Sequence, residues 1–170
     1  STLDFPVYNK LLIYKYLIKL REYKIDYLRL VRKANFNFQD VLFLLEFECV
    51  DLDIVDKISN ESIHISYLAD IYLKIAFRCK KNSNTKKAFD YLDRSFEILK
   101  GYPISFGKYY EFTGFESEDI AFYENSLKTY LTISKLNFDL GRKKTSFESL
   151  EKAIDSSIKL SITPKNNENS

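Results

Sequence analysis

Few residues in this chain have the reach for catalysis or metal binding. His64 is the only histidine among 170 residues, and Cys49 and Cys79, thirty positions apart, are the only cysteines. A zinc centre needs three or four converging Cys, His or carboxylate ligands, so neither type reaches a metal set, and no metal or cofactor is expected. His64 falls where a helix should begin, and a capping or surface role accounts for it. Cys79 lies on an apolar helical ladder and reads as a small buried residue. Glu118 and Asp119 are adjacent carboxylates at an expected helix start, where the positive end of the helix dipole favours them without any catalytic duty. None of the four glycines belongs to a phosphate-cradling loop. The chain does not read as an enzyme.

Binding chemistry is better represented. Residues 101–116 read as a long connection, because Pro103, Gly107 and Gly114 interrupt them, yet they carry Tyr102, Phe106, Tyr109, Tyr110, Phe112 and Phe115. So many rings argue against disorder; they either fold back on the core or form aromatic anchors for a partner. Lysines cluster in two expected turns, as Lys80, Lys81, Lys86, Lys87 and as Arg142, Lys143, Lys144. Such turns could grip a phosphate backbone. A net charge of +2, from 26 basic and 24 acidic residues, is too balanced to expect a nucleic-acid partner. The signs instead alternate in blocks. Residues 1–40, 65–100 and 125–170 are rich in Lys and Arg, whereas 41–64 and 101–124 are rich in Asp and Glu.

No stretch approaches the roughly 18 apolar residues of a membrane helix, and no charged-then-apolar leader opens the chain. Two cysteines make no disulfide framework, so a reducing, cytoplasmic setting is expected; the lone triplet Asn60-Glu61-Ser62 is too short a pattern to change that. Methionine is absent, even from position 1, which is expected of a piece taken from a longer chain.

The elements are helical throughout. Asp4 can cap a first helix with Pro6 in its first turn, running to about Leu20 with Leu11, Leu12, Tyr14 and Ile18 as its stripe. A second is predicted near 25–34, and a third at 39–48, capped by Asn37. Residues 51–61 look polar enough for only a single turn. The ladder Ile65, Leu68, Ala69, Tyr72, Ile75, Ala76, Cys79 predicts a long helix over 62–80. Another covers 85–100, closed by Gly101 as a left-handed cap. A helix over 117–140 closes at Gly141, and Thr145 to Glu148 has capping-box spacing before a helix ending near Leu160. The fold class is all-α, antiparallel helix pairs: N-terminal helices in 1–60, two pairs in 61–160, and a disordered tail over 161–170.

The two pairs repeat each other. At an offset of 58 residues Tyr72 meets Tyr130, Ile75 meets Ile133, Ala76 meets Ser134, Ser83 meets Gly141, Ala88 meets Ser146, Leu92 meets Leu150, and Ser95 meets Ala153. An aromatic, then an aliphatic and a small residue, then small, large, small on the second helix resembles the tetratricopeptide repeat, over about 69–100 and 127–160. Both copies are degenerate: the closing Pro is missing, and about 24 extra residues separate them. An unrelated bundle with the same local packing is the alternative. Burial is expected at Ala76, Ala88, Leu92, Ile133, Leu150 and Ala153. The resemblance implies a concave groove lined by first helices, at Asp70, Leu73, Phe77 and Lys80 in one repeat and Lys128, Leu131, Lys135 and Phe138 in the other. The family's Lys-Asn-Arg clamp for a terminal carboxylate is not present. What it implies is a scaffold binding a protein or peptide with apolar anchors and acidic residues. The peptide-sensing part of a bacterial transcription regulator, whose degenerate repeats look similar, is the alternative, with nucleic-acid binding through the lysine turns a weaker one.

Overall fold

A computed structural model describes residues 5–19, 34–113 and 116–162. Seven helices lie among them: α1 (Phe5–Ile18), α2 (Phe38–Leu45), α3 (Leu52–Ser62), α4 (Ile65–Lys81), α5 (Thr85–Thr113), α6 (Glu116–Asp139) and α7 (Lys143–Ile162). No strand occurs among the described residues, and the chain is all-α there. No helix among them is long and apolar enough to cross a membrane. Of the expected disordered tail at 161–170, Ser161 and Ile162 are the last residues of α7 instead, and the rest lies outside the described residues, as does the helix predicted near 25–34 except for Ala34.

At the front, one carboxylate positions two helices. Asn37 caps α2 with a reciprocal box: its Oδ1 accepts from the Asp40 N–H at 3.0 Å, and Asp40 Oδ2 accepts from the Asn37 N–H at 2.9 Å. The same carboxylate takes the Lys10 ammonium at 2.8 Å and the Tyr14 hydroxyl at 2.7 Å, which ties α1 to the start of α2. Burial alone would raise the Asp40 pKa. The Asn37 N–H, Lys10 and Tyr14 together outweigh it and hold the carboxyl below its ordinary value. These contacts also decide which face of α1 turns inward. Ile13 and Leu17 are buried, while Leu11, expected in the buried stripe, is 52% exposed. α1 is apolar nearly all round, so periodicity does not select a face.

α3 is longer than its composition predicts. Asp51 caps it through the Asp53 N–H at 2.9 Å, and Ile54, Val55 and Ile58 supply a buried face within a mostly polar sequence. Asp56 on α3 then holds α5, accepting from Tyr91 at 3.0 Å and Arg94 at 2.9 Å, while Tyr72 on α4 donates to Asn60 at 2.6 Å. Burial first, then the Asp56 charge, pushes both phenols up, so they serve as donors.

α4 with α5, and α6 with α7, form two helical hairpins whose turns are the same turn. Ser83 and Gly141 are both left-handed, at φ 59° and 89°. The Asn84 N–H reaches the Cys79 carbonyl at 2.9 Å and the Ser83 N–H that of Lys80 at 3.0 Å. Arg142 to Asn137 (2.8 Å) and Gly141 to Phe138 (3.0 Å) repeat them. That is the Schellman closure. Small residues seat each hairpin. Ala76 and Ala88 are buried in one, and Ser134 and Ser146 in the other, their hydroxyls 2.9 Å apart and each serving the other residue's carbonyl at 2.8 Å.

Three further sequence expectations change in the hairpins. Gly101 does not end a helix: α5 continues through Pro103 and Gly107 to Thr113, so the expected connection at 101–116 is helical over most of its length. The spacing of Tyr102, Phe106 and Tyr109 already fits a helix, and Pro103 removes only one backbone bond. Thr145 does not cap α7, which begins at Lys143, with the Arg142 carbonyl accepting from Ser146 at 3.0 Å. Of the six expected core residues, Ala76, Ala88, Leu92, Ile133 and Ala153 are buried, but Leu150 is 38% exposed. α5 has neighbours on two flanks besides α4, α3 through Asp56 and the second hairpin through Arg142; α7 packs principally on α6.

Leu92→Ala should cost about 2–5 kcal/mol in chemical denaturation, from lost burial plus a cavity. Leu150→Ala should cost about 1 kcal/mol, and equal losses would contradict the packing. Asp40 gives a pH test. Its folded pKa lies below the unfolded value of about 3.9, so its contribution is full above that pH and disappears as pH falls through the folded value. Asp40→Asn should flatten the acid limb of the stability curve below about pH 4; an unchanged limb would contradict the carboxylate's role.

Candidate partner-binding groove

The two hairpins meet along α4 and α6. The Thr129 hydroxyl, shared with the Asn125 carbonyl at 2.9 Å, reaches Asp70 at 3.2 Å at one end, and Lys80 pairs with Asp139 at 3.1 Å at the other. Arg142 fastens the second hairpin to the flank of α5. Its guanidinium reaches the Asp93 carboxylate at 2.6 and 3.1 Å, its Nε donates to Asn137 at 2.9 Å, and it lies 4.2 Å from the Phe89 ring centroid. Phe96 on α5 meets Tyr130 on α6 edge to face, centroids 5.8 Å apart. Tyr130 is pushed up to about 12 by burial and the nearby Asp155 charge.

Between these fastenings lies an open groove of about 620 Å³, within the ordinary range for ligand sites. Leu73 and Leu136 line it, Phe77 stands in it, and Leu42 and Leu45 of α2 also line it, with Thr132 on the α6 side. Charge gathers at its edge: Lys74 and Lys81 are exposed, with the Lys81 ammonium 5.8 Å from the Phe77 centroid, and Glu46 is their acidic neighbour. Arg78 also lines the groove and donates to the Leu45 carbonyl, satisfying the C-terminal end of α2.

The eight groove residues expected from the sequence divide three ways. Leu73 and Phe77 line the groove, with Phe77 50% exposed. Asp70 and Lys80 lie between the first helices but bond to α6 across the gap. Lys128, Leu131, Lys135 and Phe138 are exposed on the adjoining face of α6; the groove takes Thr132 and Leu136 instead. The side chains of Tyr102, Phe106, Tyr109, Tyr110 and Phe112 lie outside the described residues, although their backbone is helical; Phe115 lies outside them entirely. The α2 contribution has a signal in the sequence, since Leu42 and Leu45 share a helix face three residues apart. Nothing in the sequence brings α2 beside α4.

A second cavity of about 720 Å³ lies where Leu17, Val50, Leu52 and Cys79 meet, edged by Lys19, Glu48, Asp51 and Lys87. Cys79 is buried, and burial pushes its thiol up, which suits a packing residue rather than a nucleophile. Cys49 is exposed, and His64 lies exposed just before α4, its carbonyl accepting from the Tyr67 N–H at 2.9 Å. Among the described residues no three His, Cys, Asp or Glu side chains converge as metal ligands.

Against this geometry, no family model, curated protein or solved structure matches the chain.

Proposed function

We propose that this chain is a non-catalytic, tetratricopeptide-like helical scaffold that holds a peptide segment of another protein in the groove between α4 and α6. The observation that carries the reading is an unfilled apolar channel, Leu73, Phe77, Leu136, Leu42 and Leu45, beside two exposed lysines. A half-exposed Phe ring among leucines loses by facing water and gains by burial under an apolar anchor. Lys74 and Lys81 favour a ligand with carboxylates next to that anchor and steer its approach. Asp70 and Lys80 hold the two walls in place rather than meeting the ligand. Two reduced cysteines, one buried and one exposed, suit a cytoplasmic setting.

The lysine-rich turns support the same reading over nucleic-acid binding. Lys80 is paired with Asp139, Lys87 with Asp53 at 2.9 Å, and Arg142 with Asp93 at 2.6 Å, so these cations are engaged within the fold. The Asp53 carboxylate holds the Lys87 ammonium pKa above its ordinary value.

The test is fluorescence anisotropy with labelled 15-residue peptides that pair Leu or Phe anchors with glutamates. The expected result is saturable binding, weakened about ten-fold by Phe77→Ala, a loss of about 1.4 kcal/mol. Lys74→Glu with Lys81→Glu should weaken it further and remove its salt dependence. Binding indifferent to all three changes, or tight salt-sensitive binding to RNA lost on reversing Lys86 and Lys87, would contradict the proposal.

A further inference from the structure

The outer face of α7 carries an apolar stripe with no neighbour among the described residues to explain it. Phe147, Leu150, Ile154 and Ile158, at offsets of 3, 4 and 4, share one side of the helix and are 63%, 38%, 53% and 51% exposed. The buried residues of α7, Ser146, Ser149, Ala153 and Ser156, lie on the other side, toward α6.

The molecule contains an occupied version of the same face. At the 58-residue offset Phe147 corresponds to Phe89, Leu150 to Leu92, Glu151 to Asp93 and Ile154 to Phe96. On α5, Phe89 and Asp93 together seat the Arg142 guanidinium, ring below and carboxylate alongside, and Phe96 takes the Tyr130 ring. On α7, Phe147 and Glu151 keep the ring and the carboxylate at the same spacing, and Ile154 keeps the apolar seat. All are exposed.

We propose that the Phe147–Glu151 face of α7 is a docking site for a helix-and-turn segment of a different polypeptide, whose helix presents an aromatic ring as Tyr130 does and whose closing turn presents an arginine as Arg142 does to α5. The arginine stacks on Phe147 and pairs with Glu151, while the ring packs on Ile154 and Leu150. Charge along the flank fits such a partner. Glu148, Glu151 and Asp155 lie beside the stripe, with Lys144 and Lys159 at the two ends of the same row, so the middle of the row attracts a partner's cation. A second copy of the chain is the wrong occupant. An antiparallel α7–α7 pair would set the acidic middle of that row against itself, and the chain's own Arg142 is already held by Asp93. This site is separate from the α4–α6 groove and stands without it.

The probe is a peptide copying residues 126–144, hydrocarbon-stapled only within 126–138 so that the left-handed turn at Gly141 can still place Arg142, titrated into the isotope-labelled full chain and followed by NMR. Expected are saturable shifts at Phe147, Leu150, Glu151 and Ile154. Glu151→Lys should weaken binding ten-fold or more, and a peptide with Arg142→Glu should restore much of it. Leu131→Ala and Phe77→Ala should leave it unchanged. All these side chains are exposed, so the variants keep the fold, which unchanged melting temperatures would document. Absence of shifts on α7 at millimolar peptide, shifts confined to α5 or to the groove, indifference to Glu151→Lys, or dimerisation of the chain through α7 would each overturn the proposal.

Discussion

With the buried cluster of Ala69, Leu99, Tyr130 and Ile133 joining the two hairpins, Arg142 is the polar tie that fixes their relative placement. It occupies the last position of the α6–α7 turn, so its backbone N–H closes the helix end on Asn137 at 2.8 Å, while its side chain spans to Asp93 on α5. Asn137 is wholly buried and joins both duties: its Nδ2 donates to the Ile133 carbonyl at 2.9 Å, and its Oδ1 receives Arg142 Nε. A buried amide needs all its partners, so the turn, the interior of α6 and the flank of α5 are specified together. With the second hairpin held there, α6 runs beside α4 at a separation that Thr129–Asp70 and Lys80–Asp139 can bridge. The groove is the space left between them.

Within each hairpin the controlling feature is the size of a few residues. Ala76 with Ala88, and Ser134 with Ser146, let the paired helices approach closely. Ser95 extends the seat by donating to the Ala69 carbonyl at 2.7 Å. A larger side chain at any of these positions would push the hairpin open and shift the walls of the groove with it. The reciprocal Ser134–Ser146 bonds add direction to what is otherwise only closeness, because each hydroxyl has one carbonyl to reach. The shape of the groove therefore depends on residues that do not line it.

The hairpins were legible in the sequence because their information is local. Helical ladders, the small-residue seats and the equivalence of Ser83 with Gly141 all lie within spans that periodicity and turn chemistry can read. The boundaries that moved involve competition between local and tertiary signals: Gly101 and Pro103 read as a stop, yet α5 passes through them, and the polar look of α3 hid three buried aliphatic residues. Which face of α1 turns inward was not legible, because Asp40 decides it from 26 and 30 residues away. The groove was half legible for the same reason. Leu73 and Phe77 follow from the ladder on α4, whereas Leu42 and Leu45 enter only because α2 packs across the chain. The shift from Leu131 and Phe138 to Thr132 and Leu136 is a rotation of about one residue in α6, set by Asp70 and Asp139 rather than by any repeat.

The central claim is that the α4–α6 groove receives a peptide, and amide hydrogen exchange tests it most directly. The full chain would be compared alone and saturated with the tightest anchor-and-glutamate peptide. The account predicts added protection along 73–81, 132–136 and 42–46, the three segments that line the groove, with the rest of the chain unchanged. Protection confined to α7, or to the cavity between α1 and the α4–α5 turn, would contradict it.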